Sequence, residues 1–254
     1  MDTKFWGPSG WKLLHTLTFT YTAKQKTAMR DFLETLPFIL PCKFCRHSLT
    51  EYYCADPVDL TSAETLSRWL WRIHNKVNAK LRSQGQTLPP DPSFAAVKHM
   101  YEAALPNGPG PEACKSFPGW DFLFSVAYSH PLTVKGKPMP EEKAPTVCRH
   151  LTQDQEENRM NRLSPEKRMK YWNKFWITLP LVMPAAWASA WKGGGANGLK
   201  NRQQATRWLW RIRCDFSHGA DPYRQVCQRL ATYESGCSKS LRARTCRKTR
   251  KKKA

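Results

Sequence analysis

Over residues 61–81 the apolar side chains fall at Leu66, Trp69, Leu70, Ile73, Val77 and Leu81. Steps of three and four residues place them in one stripe along an α-helix. Thr61, three residues before Glu64, has the spacing of a capping box at its start. The same period predicts a helix over 10–22, behind a Gly7-Pro8-Ser9-Gly10 turn, with Ser9 or Gly10 as cap. A second helix is expected over 25–40, with Phe32, Leu33, Leu36, Ile39 and Leu40 apolar and Pro37 bending it or ending it early. Pro41 restarts a third through Tyr53, and a short one follows at about 93–105 after a Gly/Pro-rich connection over 83–92. The Pro- and Gly-rich run at 106–111 marks a domain boundary, and the fold class expected is all-α.

The pattern then recurs. Phe32-Leu-Glu-Thr-Leu-Pro-Phe-Ile-Leu-Pro-Cys42 aligns with Phe175-Trp-Ile-Thr-Leu-Pro-Leu-Val-Met-Pro-Ala185, and Arg68-Trp-Leu-Trp-Arg-Ile73 returns unchanged as Arg207-Trp-Leu-Trp-Arg-Ile212. Gly10-Trp11 and Tyr21 have looser counterparts in Gly119-Trp120 and Tyr128. Three segments in one order indicate a duplication. The division expected is a helical bundle over 1–106, a second, degenerate bundle over 107–236 with an insertion around 136–162, and a basic disordered tail over 237–254. Positions kept in both copies serve the fold, whereas positions kept only in the first are candidates for chemistry. Cys42 and Cys45 correspond to Ala185 and Ala188, His15 to Phe124, His74 to Arg213, Asn75 to Cys214 and Asn78 to Ser217.

Charge adds a second theme. Lys and Arg number 41 against 20 Asp and Glu, a net +21, and nine of those positive charges lie in 239–254 with no negative one. Such a run attracts nucleic acid or another polyanion, serves as a nuclear address, or merely solubilises. Apolar runs are too short to span a bilayer, and residues 1–15 show no secretory signal. Nine cysteines, an odd count, leave at least one unpaired and point to redox chemistry or metal binding.

Cys42 and Cys45 are separated by two residues behind Pro41, so they open a helix whose N–H groups lower a thiol pKa. The pair closes a small disulfide, or with His47 and Cys54 completes a zinc site. On the 61–81 helix, Trp71, His74, Asn75 and Asn78 gather opposite the apolar stripe, a face suited to a planar hydrogen-bonding ligand. Trp11 and His15, four apart, supply an opposing wall. His15 and His74 would otherwise be satisfied core histidines.

These features resemble the Erv/ALR family of FAD-dependent sulfhydryl oxidases: Trp6-Gly-Pro-x-x-Trp11-x-x-Leu14-His15-Thr16, Pro41-Cys-x-x-Cys45-Arg46 and Trp69-Leu-x-x-Ile73-His74-Asn75-x-Val77-Asn78-x-x-Leu81. The resemblance covers most of 5–81. It implies a four-helix bundle plus a short fifth helix, with FAD contacted by Trp11, His15, His74, Asn75 and Asn78, and further by Tyr21, Val77, Lys80 and Leu81. Trp6, Gly7 and Gly10 come with the first motif, Trp71 with the helix face, and Lys80 or Arg82 would neutralise the pyrophosphate. Cys45 would face the flavin and Cys42 would be attacked by thiols of client proteins, with O₂ as final acceptor giving H₂O₂. Dimerisation is expected as a homodimer or as an intramolecular pseudo-dimer of the two bundles. The sequence departs from the family where Trp71 replaces a Cys, where Arg82-Ser83 replaces Gly-Lys, and in lacking a second CxxC; Cys54, Cys237 or Cys246 are then the candidate shuttles. A degenerate second bundle resembles the versions of large DNA viruses and the pseudo-domain of quiescin-type oxidases, which suggests host cytoplasm or virion as the location. The competing expectation is a basic, nucleic-acid-associated virion protein whose oxidase half is vestigial.

Overall fold

The structure, a computed structural model, describes residues 1–104, 114, 116–133, 136–140, 148–217, 221–235 and 246–247. The regular elements among them are all helical. They are α1 Thr3–Phe19, a 3₁₀ turn Ala23–Gln25, α2 Lys26–Ile39, α3 Lys43–Ala55, α4 Ala63–Ser83 and α5 Phe94–Ala103, then α6 Trp120–Tyr128, α7 Gln153–Arg159, α8 Pro165–Val182, α9 Ala185–Ala190, α10 Arg202–Ser217 and α11 Tyr223–Thr232. The all-α expectation holds. The breaker at 106–111, Cys237 and the tail at 239–254, apart from 246–247, lie outside the described residues.

Helix α1 corrects the sequence reading. It begins at Thr3, with the Asp2 carboxylate accepting from Lys4 N–H at 2.9 Å, and runs straight through Gly7-Pro8-Ser9-Gly10. The turn signals are overridden by packing. Ser9 Oγ donates to the Pro118 carbonyl at 2.7 Å and accepts from Phe122 N–H at 3.1 Å. A Cβ on Gly10 would sit 3.2 Å from the Phe122 ring, so the missing side chain lets α6 close against α1. Pro37 does not end α2 early, since the helix continues to Ile39. Pro41 lies just outside α3, and Cys42 is its N-cap. In α4 the cap is Ser62 with Thr65, not Thr61 with Glu64; Glu64 instead pairs with Arg68 at 2.9 Å and Lys98 at 3.6 Å.

The α4 stripe is buried at Leu66, Trp69, Leu70 and Ile73, but Val77 and Leu81 are only half-covered. Helix α1 packs on α4 and on α6, α2 lies along α8, and α10 packs on α6. Phe32 and Phe175, matched by the repeat, stack on each other at 5.4 Å, and Asp31 pairs with Lys174, also its match, at 2.8 Å. A position that meets its own counterpart lies close to a two-fold relation between halves. One apolar core runs through both.

The described part of the insertion does not extend the second half outward; it grips α3. Lys43 Nζ donates to the carbonyls of Lys137 and Pro138 at 3.3 and 3.4 Å. Asn158 Nδ2 donates to Pro37 O at 2.8 Å, His47 Nδ1 lies 3.2 Å from Arg159 O, and Arg159 pairs with Glu51 at 3.3 Å. A disulfide joins Cys54 to Cys148.

Candidate active site

Cys42 precedes the first turn of α3 with extended backbone, and its sulfur accepts from Cys45 N–H at 3.2 Å. It is 1% exposed, whereas Cys45 is half-exposed; neither is in a disulfide here. Burial works against ionising Cys42. The hydrogen bonds from the Cys45 thiol and amide, with the positive charges of the Met1 amine and Lys80, outweigh it and bring the thiol down to about 7. Cys45 moves the other way: it donates to Cys42, is partly shielded from water, and faces the Cys42 charge, so its thiol is pushed well up. The reduced pair therefore carries a thiolate at Cys42 and the proton at Cys45.

Helix α4 borders this pair. Lys80 Nζ reaches the Phe44 carbonyl at 3.4 Å and Ser48 Oγ, and Tyr52 Oη donates to Lys76 O at 3.4 Å. Cys45, Ser48 and Tyr52 recur at helical spacing on the side of α3 that meets α4.

Six residues before Lys80, about 9 Å along the helix, His74 stacks on Trp11 at 3.9 Å with 11° between planes. His15 Nε2 and His74 Nδ1 are 3.2 Å apart, so one proton is shared between two neutral rings. Burial, with the neighbouring His74 charge, holds His15 down to about 3; burial, partly opposed by Asp91, holds His74 to about 4. His15 is 2% exposed, and its Nδ1 has no hydrogen-bond partner. Asn78 Nδ2 donates to Asp91 Oδ1 at 2.8 Å, and Arg82 holds the same carboxylate through two N–H groups at 2.8 and 2.9 Å. Asn75 is half-buried on the same helix.

The structure thus brings together Trp11, His15, His74 and Asn78, with Lys80 further along the same helix reaching α3. Other residues expected at the site are employed elsewhere. Trp6 and Gly10 lie on the opposite side of α1 and pack on Phe122, with Trp6 at 5.9 Å. Gly7 is half-exposed with open space beside its Cα. Tyr21 is buried and ties its hydroxyl to Leu60 O at 3.0 Å. Trp71 Nε1 donates to Pro92 O at 2.9 Å and its ring meets Phe94 edge-on, so it anchors the connection into α5. Arg82 is taken up by Asp91. Two contributors escaped the sequence reading: Asp91, and Tyr101, which stacks on His15 at 4.8 Å. The spacing of Phe94, Val97 and Tyr101 on one face of α5 was the signal for the latter.

The zinc alternative loses its fourth ligand, because Cys54 is bonded to Cys148 and His47 is turned to the Arg159 carbonyl. The same disulfide pairs Cys54, one of the candidate shuttles, with Cys148 of the insertion. A flat aromatic cofactor fits better. The buried, unpartnered His15 Nδ1 is an orphan polar atom among aromatic rings, and Val77 and Leu81 are half-covered apolar residues on the helix whose Lys80 reaches the Phe44 carbonyl. A ring entering between Trp11 and His74 must separate them.

Comparison with known proteins agrees with this geometry. The sequence model of the Erv1 / Alr family matches residues 8–101. The mitochondrial FAD-linked sulfhydryl oxidase ERV1 of Saccharomyces cerevisiae is 38% identical over 85 residues, 32% of this chain and 45% of that protein. The chain thus spans about half the length of that relative. An FAD-linked sulfhydryl oxidase of African swine fever virus is 31% identical over 106 residues, 40% of this chain and 84% of the viral protein. A putative FAD-linked sulfhydryl oxidase of Invertebrate iridescent virus 6 is 30% identical over 112 residues, 40% of this chain and 97% of its own length. No solved structure matches. With the Cys42–Cys45 pair capping α3, the histidine pair beneath Trp11, and relatives matched over most of their length, the chain belongs to the Erv1/Alr family.

Proposed function

We propose that the chain is an FAD-linked sulfhydryl oxidase that makes disulfides in client proteins. The observation that carries this reading is the Cys42–Cys45 pair at the start of α3, with Cys42 favoured as the thiolate and Lys80 of α4 reaching the Phe44 carbonyl beside Cys45. FAD, when bound, supplies a two-electron acceptor that passes the pair to O₂ as H₂O₂. His15, His74, Trp11 and Asn78 are the residues to hold it, with Lys80 a cation that reaches the Cys45 turn of α3; Arg82 becomes available to phosphate only if Asp91 yields it.

In the exchange, a client thiolate attacks the Cys42 sulfur of the Cys42–Cys45 disulfide, that bond breaks, and Cys45 leaves with the electron pair. A second client thiolate attacks the mixed disulfide, giving the client disulfide and releasing Cys42 as thiolate. Its lowered pKa makes it a good leaving group. Because Cys42 is buried, a client reaches it only when the chain over the N-terminal end of α3 moves aside. The balance is two thiols and one O₂ giving one disulfide and one H₂O₂.

We assign 1–106 to the oxidase bundle and 107–236 to a degenerate copy that occupies the place of a dimer partner, as the Phe32–Phe175 contact supports. The net +21 supports polyanion contact through the tail, with host cytoplasm or virion as the location. Among the described residues no helix is long and apolar enough to cross a membrane. The purified protein is expected to be yellow, with absorbance near ~450 nm, typical of the cofactor, and to consume O₂ with dithiothreitol, an activity absent from Cys45→Ser. A colourless protein that binds DNA in a salt-sensitive way would instead favour the structural-protein reading.

A further inference from the structure

The seam between the halves, beside the N-terminal end of α3, holds a small, partly open cavity of about 20 Å³. That is room for one water-sized occupant. Leu40, Pro41 and Arg46 line it from the first half, and Ser129, Arg168 and Trp172 from the second. Arg46 is 6% exposed. One of its terminal nitrogens donates to Leu40 O at 2.7 Å, and the other to Asn161 Oδ1. Arg168 donates to the same amide oxygen at 3.4 Å. Asn161 is held for this at φ 55, a left-handed conformation that asparagine tolerates. The Nε–H groups of both arginines are buried with no acceptor.

Among the described residues no carboxylate pairs with either guanidinium. Burial, with no anion to offset it, holds Arg168 well below the usual arginine range, and Arg46 adds to the effect. Lys43 brings a third positive charge to the same end of α3. Two guanidiniums sharing one neutral oxygen are poorly compensated. The negative charge that reaches Arg46 comes from the Cys42–Cys45 pair. Oxidising that pair to its disulfide removes two electrons and the one proton held at Cys45, and with them the Cys42 thiolate, so Arg46 loses its counter-charge beside the already uncompensated Arg168.

We propose that this cavity binds a small inorganic anion of halide size, held by the Nε–H groups of Arg46 and Arg168, and that it binds more tightly when Cys42 and Cys45 are joined. The redox half of this statement rests on the oxidase reading; the site itself does not. By reciprocity, an anion that prefers the disulfide form stabilises that form and makes the pair less oxidising. Residue Arg46, adjacent to Cys45, thereby couples the sulfurs to a site on the seam with the second half.

The test uses the full chain with sodium bromide at constant ionic strength set by sodium gluconate. Crystals grown with bromide are expected to show an anomalous peak within hydrogen-bonding distance of both Nε atoms. In solution, bromide is expected to raise the melting temperature saturably, with a dissociation constant at least about fivefold smaller for diamide-oxidised than for dithiothreitol-reduced protein, at the low end of ordinary site-to-site coupling. Arg168→Gln removes a poorly compensated buried charge, so it should melt no lower than the parent without bromide yet lose the bromide increment; Arg168→Met serves as the second variant. No peak, or an unchanged increment in both variants, overturns the site. Equal affinity in the two redox states overturns the coupling. A bromide site in a protein that binds no flavin and oxidises no thiol would leave the site standing and sink the oxidase reading.

Discussion

Helices α4 and α10 carry the same six residues from Arg68 and Arg207, and the shared segment does the same work in both. Trp71 Nε1 donates to Pro92 O at 2.9 Å, and Trp210 Nε1 donates to Asp221 O at 2.9 Å, each pinning the connection to the next helix. The two helices diverge a single turn later. His74 lies flat on Trp11 as a neutral ring, whereas its counterpart Arg213 places a cation over Trp120 at 5.7 Å and Phe124 at 5.9 Å. Two nitrogens of Arg213 are buried without acceptors, and the third lies 3.5 Å from Asp221. Where the first half keeps neutral polar rings beside a half-covered wall, the second has filled the equivalent space with a charge. The frame of a bundle and the chemistry of a site are thus separable, and only the frame survives in both copies.

Making the first half resemble the second should have the largest effect. His74→Arg puts a charge next to buried His15, an unpaired burial worth on the order of 3 kcal/mol or more. Flavin content per mole of protein, read from visible absorbance, should fall on the order of a hundredfold. The converse change, Ala185→Cys with Ala188→Cys in a Cys45→Ser background, should restore no O₂ consumption, because Phe124 and Arg213 stand where His15 and His74 are needed. Restored turnover would break the comparison.

The clamp between the halves comes next. The Cys54–Cys148 bond closes a sequence separation of 94 residues. Loop-closure entropy assigns such a link about 4–5 kcal/mol, so Cys148→Ser should lower the urea midpoint by the corresponding amount. At the seam, Phe175→Ala removes a fully buried ring stacked on Phe32 and should cost about 3–5 kcal/mol in the same assay. A loss confined to the second half, with the first unmoved, would contradict the single core.

Acid separates the halves more gently. His15 and His74 are held to about 3 and about 4, below their ordinary value of 6.5, so the unfolded chain binds more protons than the folded one as pH falls. The stability they allow is intact above pH 6.5 and declines down to the folded values, at up to about 1.4 kcal/mol per pH unit for each histidine. Replacing His15 by Phe, the residue of the second half, should flatten the slope between pH 6.5 and 4. The smallest expected effects are those of Trp71→Phe and Trp210→Phe, each removing one hydrogen bond at about 1 kcal/mol. Flavin content should stay unchanged in both, and a selective loss in Trp71→Phe would return that residue to the site.

Much of this arrangement can be read from residue order. The Leu66–Ile73 stripe implies α4, the repeated hexapeptide implies a second copy, and residues present in one copy alone single out Cys42, Cys45, His15, His74 and Asn78. Local periodicity suffices there because a helix is defined by bonds four residues apart. Asp91 and Tyr101 were less legible, since an acid and a tyrosine in a connection and a short helix look like ordinary surface. Trp6, Gly10 and Trp71 pack against Phe122, Phe94 and the Pro92 carbonyl, contacts a motif does not reveal because it records which residues travel together and not what each touches.

The sequence by itself determined the all-helical class, and it pointed to the duplication and to the Cys42–Cys45 pair, all properties of neighbours along the chain or of one segment matched to another. Only the tertiary structure decided that α1 runs through its Gly-Pro turn signal, that the insertion grips α3, and that Arg46 meets Arg168 across the seam. Those outcomes join residues roughly a hundred positions apart. Their energies come from burial and from hydrogen bonds across the interface, which no local pattern encodes.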